Sequence, residues 1–78
     1  MATITIRFSG PIRRPWPELM RQLEVEPGTA VRGVLTAIGY SAHEHRFLLT
    51  AVNGGSVHLD HEVVEGDILD VALRAGGG

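Results

Sequence analysis

Only one stretch of the chain, carried by Val31, Val34, Leu35 and Ile38, spaces its apolar residues for a helix, and runs of strict two-residue alternation lie on both sides of it. A lone helix with one apolar stripe must lay that stripe on a sheet. Thr3 to Phe8 supplies a first strand, with Ile4, Ile6 and Phe8 on one face and Thr3, Thr5 and Arg7 on the other. Leu19, Arg21, Leu23 and Val25 alternate with Met20, Gln22 and Glu24, which predicts a second strand hairpin-paired to the first. Between them, Ser9 to Pro17 holds Gly10, Pro11, Pro15 and Pro17 and reads as a loop, with Trp16 as its large apolar anchor.

Pro27-Gly28 breaks the second strand, Thr29 stands where a helix cap belongs, and Gly39 supplies a left-handed stop. Phe47 to Val52 predicts a third strand that ends in the turn Asn53-Gly54-Gly55. A short fourth strand is expected around Ser56 to Leu59. After the turn Glu65-Gly66-Asp67, Ile68 to Leu73 forms a fifth, with Leu69, Val71 and Leu73 opposed to Ile68, Asp70 and Ala72. The order strand, strand, helix, strand, strand, strand predicts an α+β fold. It is a mixed sheet of four to five strands with one main helix packed across one face, and a right-handed crossover sets the last strand or the third beside the first. That layout is the β-grasp. Residues 1–73 form the domain, and 74–78 form a glycine-rich tail.

A chain of 78 residues buries only about 60% of the surface its unfolded form exposes, so one thin core must suffice and an active site with several supporting shells has no room. The absence of cysteine excludes disulfides, thiolate metal sites and a cysteine nucleophile. All seven basic residues are arginine, so no side chain can form a Schiff base or an isopeptide bond. A net charge of −2 provides no basic field for nucleic acid or an anionic membrane. Neither a secretory signal nor a membrane-length apolar run is present, and a soluble, cytoplasmic protein is expected. Glycine is in excess at 10 residues, and Gly76, Gly77 and Gly78 end the chain.

Several local motifs stand in a characteristic order: Thr29-Ala-Val after Pro27-Gly28, then Val52-Asn53-Gly54, then Glu65-Gly66-Asp67-Ile68 before the final strand, then terminal Gly-Gly. Together they resemble the ubiquitin-like sulfur carriers, the family of the small subunit of molybdopterin synthase and the thiamine-pathway carrier, over essentially the whole chain. The resemblance implies that an activating enzyme uses ATP to adenylate the terminal carboxylate and that a persulfide donor protein displaces AMP. The resulting thiocarboxylate then donates its sulfur. On this chain the reactive carboxyl is that of Gly78, with Gly77 penultimate. The family motif is two glycines and this chain has three, so Gly76 is extra linker unless trimming makes Gly77 the end. The loop Ser9 to Pro17 leans the likeness toward the molybdopterin type, in which the tail would enter a larger synthase subunit. The chain itself would then be a carrier and not an enzyme, with no bound cofactor. The alternatives are a protein modifier conjugated through Gly78 and a β-grasp interaction module whose terminal glycines are incidental.

Physical reasons support a glycine tail independently of family. From Leu73, residues 74–78 span at most about 17 Å when extended, enough to reach into a partner. Glycine has no Cβ to block a narrow channel. Ordering such a tail costs entropy that contacts elsewhere must offset, so a docking surface is expected. By the parity of ubiquitin-like domains, Val52 points inward and Phe47, Leu49 and Ala51 outward, beside Ala72 on the last strand, forming a candidate partner-binding patch. A one-residue slip would instead place Phe47 and Leu49 in the core. Arg74, at the tail's root, is a candidate ion-pair contact with the activating enzyme or else an ordinary solvated arginine. The histidines of His43-x-His45 and His58-x-x-His61 read as exposed loop residues, because no third metal ligand stands at a fixed spacing.

Overall fold

The computed structural model describes residues 1–74. Its elements in chain order are β1 (Ala2–Ser9), β2 (Met20–Val25), α1 (Val31–Ala37), a 3-10 helix (Glu44–Phe47), β3 (Leu48–Val52), β4 (Gly55–Ser56) and β5 (Ile68–Leu73). One sheet runs in the order β2-β1-β5-β3-β4. Strand β1 pairs antiparallel with β2, bringing Ile4 opposite Leu23, and parallel with β5, bringing Ile6 opposite Leu69 and Phe8 opposite Val71. The antiparallel pairing of β3 with β5 then sets Val52 opposite Leu69. It is the last strand that lies beside the first. This five-stranded mixed sheet with one helix is the β-grasp.

The alternation that defines the strands also defines the core. Ile4, Ile6 and Phe8 of β1, Leu69 and Val71 of β5, and Leu48 and Val52 of β3 pack on one face against Val31, Val34 and Leu35 of α1. Each such aliphatic side chain contributes on the order of 1.5–3 kcal/mol when removed from water. The helix has only 7 residues and would not persist alone, so its stability comes from this packing.

Both ends of α1 depart from simple capping by side chains. The N-cap is Ala30 and not Thr29, and no side chain caps the helix. The Thr29 hydroxyl donates to the Glu26 carbonyl at 2.6 Å, closing the Pro27-Gly28 turn. The first-turn amides of Val31 and Arg32 donate instead to the carbonyls of His61 (2.8 Å) and Leu59 (2.9 Å), in a segment distant in sequence. At the other end Gly39, with φ +113°, donates to Thr36, and Tyr40 donates back to Leu35, closing a Schellman motif. Tyr40 is thereby buried in the core, and its hydroxyl donates to the Arg13 carbonyl, tying down the proline-rich loop. Trp16 is the partly buried anchor of that loop, edge-on to Phe8 at 5.7 Å.

Two other expectations need correction. The fourth strand is only Gly55–Ser56, because past Val57 the chain leaves β3 to bridge toward α1, where Glu62 pairs with Ala30. Phe47 does not begin the third strand. It closes the 3-10 helix, with the Leu48 amide donating to the His45 carbonyl, so that β3 starts one residue later.

Two turns hold the sheet's far end. Asn53 (φ +52°) and Gly54 (φ +89°) make the two-residue turn from β3 to β4, and Gly66 (φ +85°) sits in the turn before β5. Side chains join the two. Asn53 Nδ2 donates to Asp67 Oδ1 and the Ile68 amide donates to Asn53 Oδ1, while Asp67 Oδ2 accepts from the Val64 amide, each at 2.9 Å. The motifs Val52-Asn53-Gly54 and Glu65-Gly66-Asp67-Ile68 are therefore two halves of one structural clasp.

Candidate functional site

The candidate site is the end of β5, where the chain leaves the core. Leu69 and Val71 are fully buried, whereas Leu73 is 41% exposed, so the last strand emerges into solvent within a few residues. Arg74 is exposed, and its amide donates to the Phe47 carbonyl at 2.8 Å. The root of the tail is thus fastened to the 3-10 helix. Gly76, Gly77 and Gly78 lie outside the described residues.

Beside that root, the sheet face opposite α1 carries the other candidate residues. Leu49 (48% exposed) on β3 is the direct cross-strand partner of Ala72 on β5, and Ala51 follows two residues along β3, opposite Asp70. Ala51 and Ala72 are half-buried. With Leu48 and Val52 buried and Leu49 exposed, the register is the one that turns Leu49 and Ala51 outward, not the slipped one. Phe47 is 41% exposed, but it reaches the surface from the 3-10 helix, edge-on to His43 at 5.6 Å. Going across the sheet from Ala51, the small apolar surface gives way to the bidentate Arg7–Asp70 ion pair (2.7 and 3.0 Å). The apolar area at the tail-exit end of β3 and β5 is therefore separated by this ion pair from Met20, which lies opposite Arg7 on β2.

Two clefts flank the exit. One, of about 190 Å³, is lined by Ile12, Tyr40, Phe47, Leu48 and Leu73 with Arg13 and Glu44 at its rim. Glu44 accepts from the Ser41 amide at 2.9 Å and from Arg13 at 2.7 Å, and these bonds, the backbone one foremost, hold its carboxyl below the usual glutamate range. A carboxyl so lowered adds stability at pH values above the unfolded-state range and loses it as pH falls through the folded value. The Ser41 amide, followed by NMR during acidification, is expected to report one transition below that of a free glutamate. A transition at the ordinary glutamate position would show that the pair is not formed.

The second cleft lies on the other side of Arg74 and includes His45. Sequence reading placed His45 in solvent, but it is 7% exposed and its Nε2 has no hydrogen-bond partner among the described residues. No periodicity announces this, since a four-residue 3-10 helix has none to read. Tyr40 was equally missed, although an aromatic residue immediately after a helix-stopping glycine is the position from which Schellman motifs bury a side chain. Among the described residues no three histidines or carboxylates are grouped to hold a metal ion, and no helix is long and apolar enough to cross a membrane.

The sheet order and the single helix across it define a ubiquitin-like β-grasp domain. Within that class, the chain matches a Pyrococcus furiosus protein designated molybdopterin converting factor subunit 1, with a TM-score of 0.78, 18% identity, and coverage of 96% of this chain and 100% of that one. It matches small archaeal modifier protein 1 of Haloferax volcanii at a TM-score of 0.77 and 16% identity, covering 96% and 100%. It also matches the complex of subunits 1 and 2 of the Helicobacter pylori molybdopterin-converting factor, at 0.64 and 16% identity over 97% and 99%. At these identities the likeness is one of fold. No family model matches the chain, and no curated protein matches it by sequence.

Proposed function

We propose that the protein is a sulfur carrier, not an enzyme, whose reactive group is the terminal carboxylate of Gly78. The observation that carries this reading is a fold shared end to end with molybdopterin converting factor subunit 1, in a chain that closes on Gly76-Gly77-Gly78 just past the exposed end of β5. An activating enzyme joins the carboxylate to AMP from ATP, releasing pyrophosphate. The terminal sulfur of a donor protein's persulfide then displaces AMP, and a thiol cleaves the S–S bond to leave the thiocarboxylate. Gly76 and Gly77 let the tail thread a narrow channel, and Leu49, Ala51, Ala72 and Phe47 offer the docking contact that offsets the cost of ordering it. The Helicobacter complex favours a larger synthase subunit as recipient, hence molybdopterin over thiamine synthesis. The likeness to small archaeal modifier protein 1 favours a second reading, conjugation through Gly78 to amines of other proteins.

Intact mass spectrometry of the protein isolated from its own host tests the first reading, and tryptic peptide mapping of the host's other proteins tests the second. Replacement of one terminal oxygen by sulfur is expected for the carrier, and a branched Ala-Gly-Gly-Gly remnant, left by cleavage after Arg74, on lysines of other proteins for the modifier. A chain showing neither, and forming no adenylate with ATP and the host's activating enzyme, overturns the proposal.

A further inference from the structure

Asn53 is the chain's one asparagine, and glycine follows it. Asparagine is a chemically labile side chain, and most so before glycine. The nitrogen of the next peptide bond can attack the side-chain carbonyl carbon, and glycine has no Cβ to hinder the approach. Most of what that attack needs is in place. Asn53 and Gly54 are both exposed to water. Beyond its chain neighbours, nothing lies within 4 Å of where a Gly54 Cβ would stand, and the Gly54 amide donates to no acceptor among the described residues.

What the attack lacks is a free side chain. Asn53 Nδ2 donates to Asp67 Oδ1, the Ile68 amide donates to Asn53 Oδ1, and the Asn53 amide donates to the Ile68 carbonyl, each at 2.9 Å. Both ends of the carboxamide are therefore held on the neighbouring turn. Ring closure requires Cγ to swing onto the Gly54 nitrogen and give up both side-chain bonds. The acceptor of the first is a carboxylate only 6% exposed, so that bond is charge-assisted and shielded from competing water. The clasp that fastens the sheet's far end also restrains its most labile residue.

We infer that Asn53 is a site of spontaneous deamidation held in check by its clasp with Asp67, and that the reaction, once it has occurred, keeps the clasp from closing again. The Gly54 nitrogen bonds to Asn53 Cγ, the Cγ–Nδ2 bond breaks, and the Gly54 proton leaves with Nδ2 as ammonia, giving a five-membered succinimide. Water opens the ring at Cγ to give aspartate, or at the main-chain carbonyl to give isoaspartate, with no change of oxidation state. Aspartate sets a carboxylate oxygen where Nδ2 stood, facing Asp67 Oδ1 with no donor between two like charges. Isoaspartate routes the main chain through the former side chain and adds a methylene inside a two-residue turn. The inference stands apart from the carrier reading, since it needs neither Gly78 nor a partner.

The test incubates the full chain at mildly alkaline pH and follows Asn53 in the tryptic peptide Phe47 to Arg74, resolving asparagine, aspartate and isoaspartate chromatographically. It is run in buffer, in urea below the unfolding transition, and in unfolding urea. Loss of Asn53 is expected to be slower by about ten-fold or more in the folded chain than in the unfolded one, given what hydrogen bonds to a charged group contribute. It is expected to stay nearly flat across sub-denaturing urea, because opening a clasp exposes little surface. Asp67→Ala is expected to speed the loss about ten-fold in the folded chain. Asn53→Asp, the product made directly, is expected to melt below the parent and to shift the NMR amides of Val64 and Ile68. The urea series needs no variant, so it decides even where Asp67→Ala does not fold. The inference is overturned if folded and unfolded chains react at one rate, or if loss climbs with urea as steeply as global unfolding does. It is equally overturned if Asp67→Ala leaves the rate unchanged or slows it, or if Asn53→Asp melts with the parent.

Discussion

Removal of Gly77 and Gly78 is expected to abolish adenylation and every later transfer, a loss of activity to background, while thermal stability and the NMR spectrum of residues 1–74 stay those of the parent. The two halves of that expectation rest on different parts of the molecule. Among the described residues, the hydrophobic core ends at Val71, Leu73 is already half in solvent, and the last contact that fastens the chain is the Arg74 amide on the Phe47 carbonyl. Under the carrier reading, however, the reaction needs a carboxylate at a fixed distance from the docked domain. Shortening an extended tail by two residues withdraws that carboxylate by about 7 Å, and a displacement of even 1 Å from productive geometry is costly. Replacing both glycines by alanine keeps the reach and adds only two Cβ atoms, so it separates reach from channel width. If the truncated chain is still adenylated, or if it melts at a lower temperature, this view of the tail is wrong.

How much of this was legible in the sequence follows from how local each feature is. Strand β1 could be read because its alternation Ile4, Ile6, Phe8 is a property of adjacent residues, and β5 likewise from Leu69 and Val71. The hairpin turn at Asn53-Gly54 was legible because both residues adopt positive φ, which few residue types tolerate. What escaped depends on partners far along the chain. Thr29 looked like a cap, but the helix amides it would have served are taken by the carbonyls of Leu59 and His61, about thirty residues away. The same excursion of residues 59–63 toward α1 shortened the fourth strand to Gly55–Ser56. Phe47 was misplaced because an apolar residue next to Leu48 and Leu49 extends an apparent strand, and only the 3-10 bond from Leu48 to His45 shows where the strand begins. For the site, the tail's root and the outward turn of Leu49 could be anticipated, whereas the cleft over Arg46, His45 and Arg74 could not, since it assembles three separate segments.

The second large effect concerns stability and falls on Asp67, in the turn before β5. Asp67 is 6% exposed, and both its oxygens are spoken for, Oδ1 by Asn53 Nδ2 and Oδ2 by the Val64 amide. Its own carbonyl accepts from the Thr5 amide at 2.9 Å, so the turn it closes also sets the first rung between β1 and β5. Asp67→Ala removes two bonds to a carboxylate and leaves the Val64 amide and the Asn53 side chain without acceptors, at a cost of about 2–3 kcal/mol. A domain of this size has a total stability on the order of 4–12 kcal/mol, and that loss corresponds to a fall in Tm of roughly 10–20 °C. Asp67→Asn distinguishes acceptor loss from shape. It preserves volume but must turn an NH2 toward either the Val64 amide or Asn53 Nδ2, so two donors face each other, and it is expected to lose at least half as much as alanine. Thermal denaturation of the two variants decides the matter. If Asp67→Asn melts with the parent, the clasp holds through packing and not through its hydrogen bonds. If both variants keep the parent's Tm but lose partner binding, the Glu65-Gly66-Asp67 turn belongs to an interface and not to the fold.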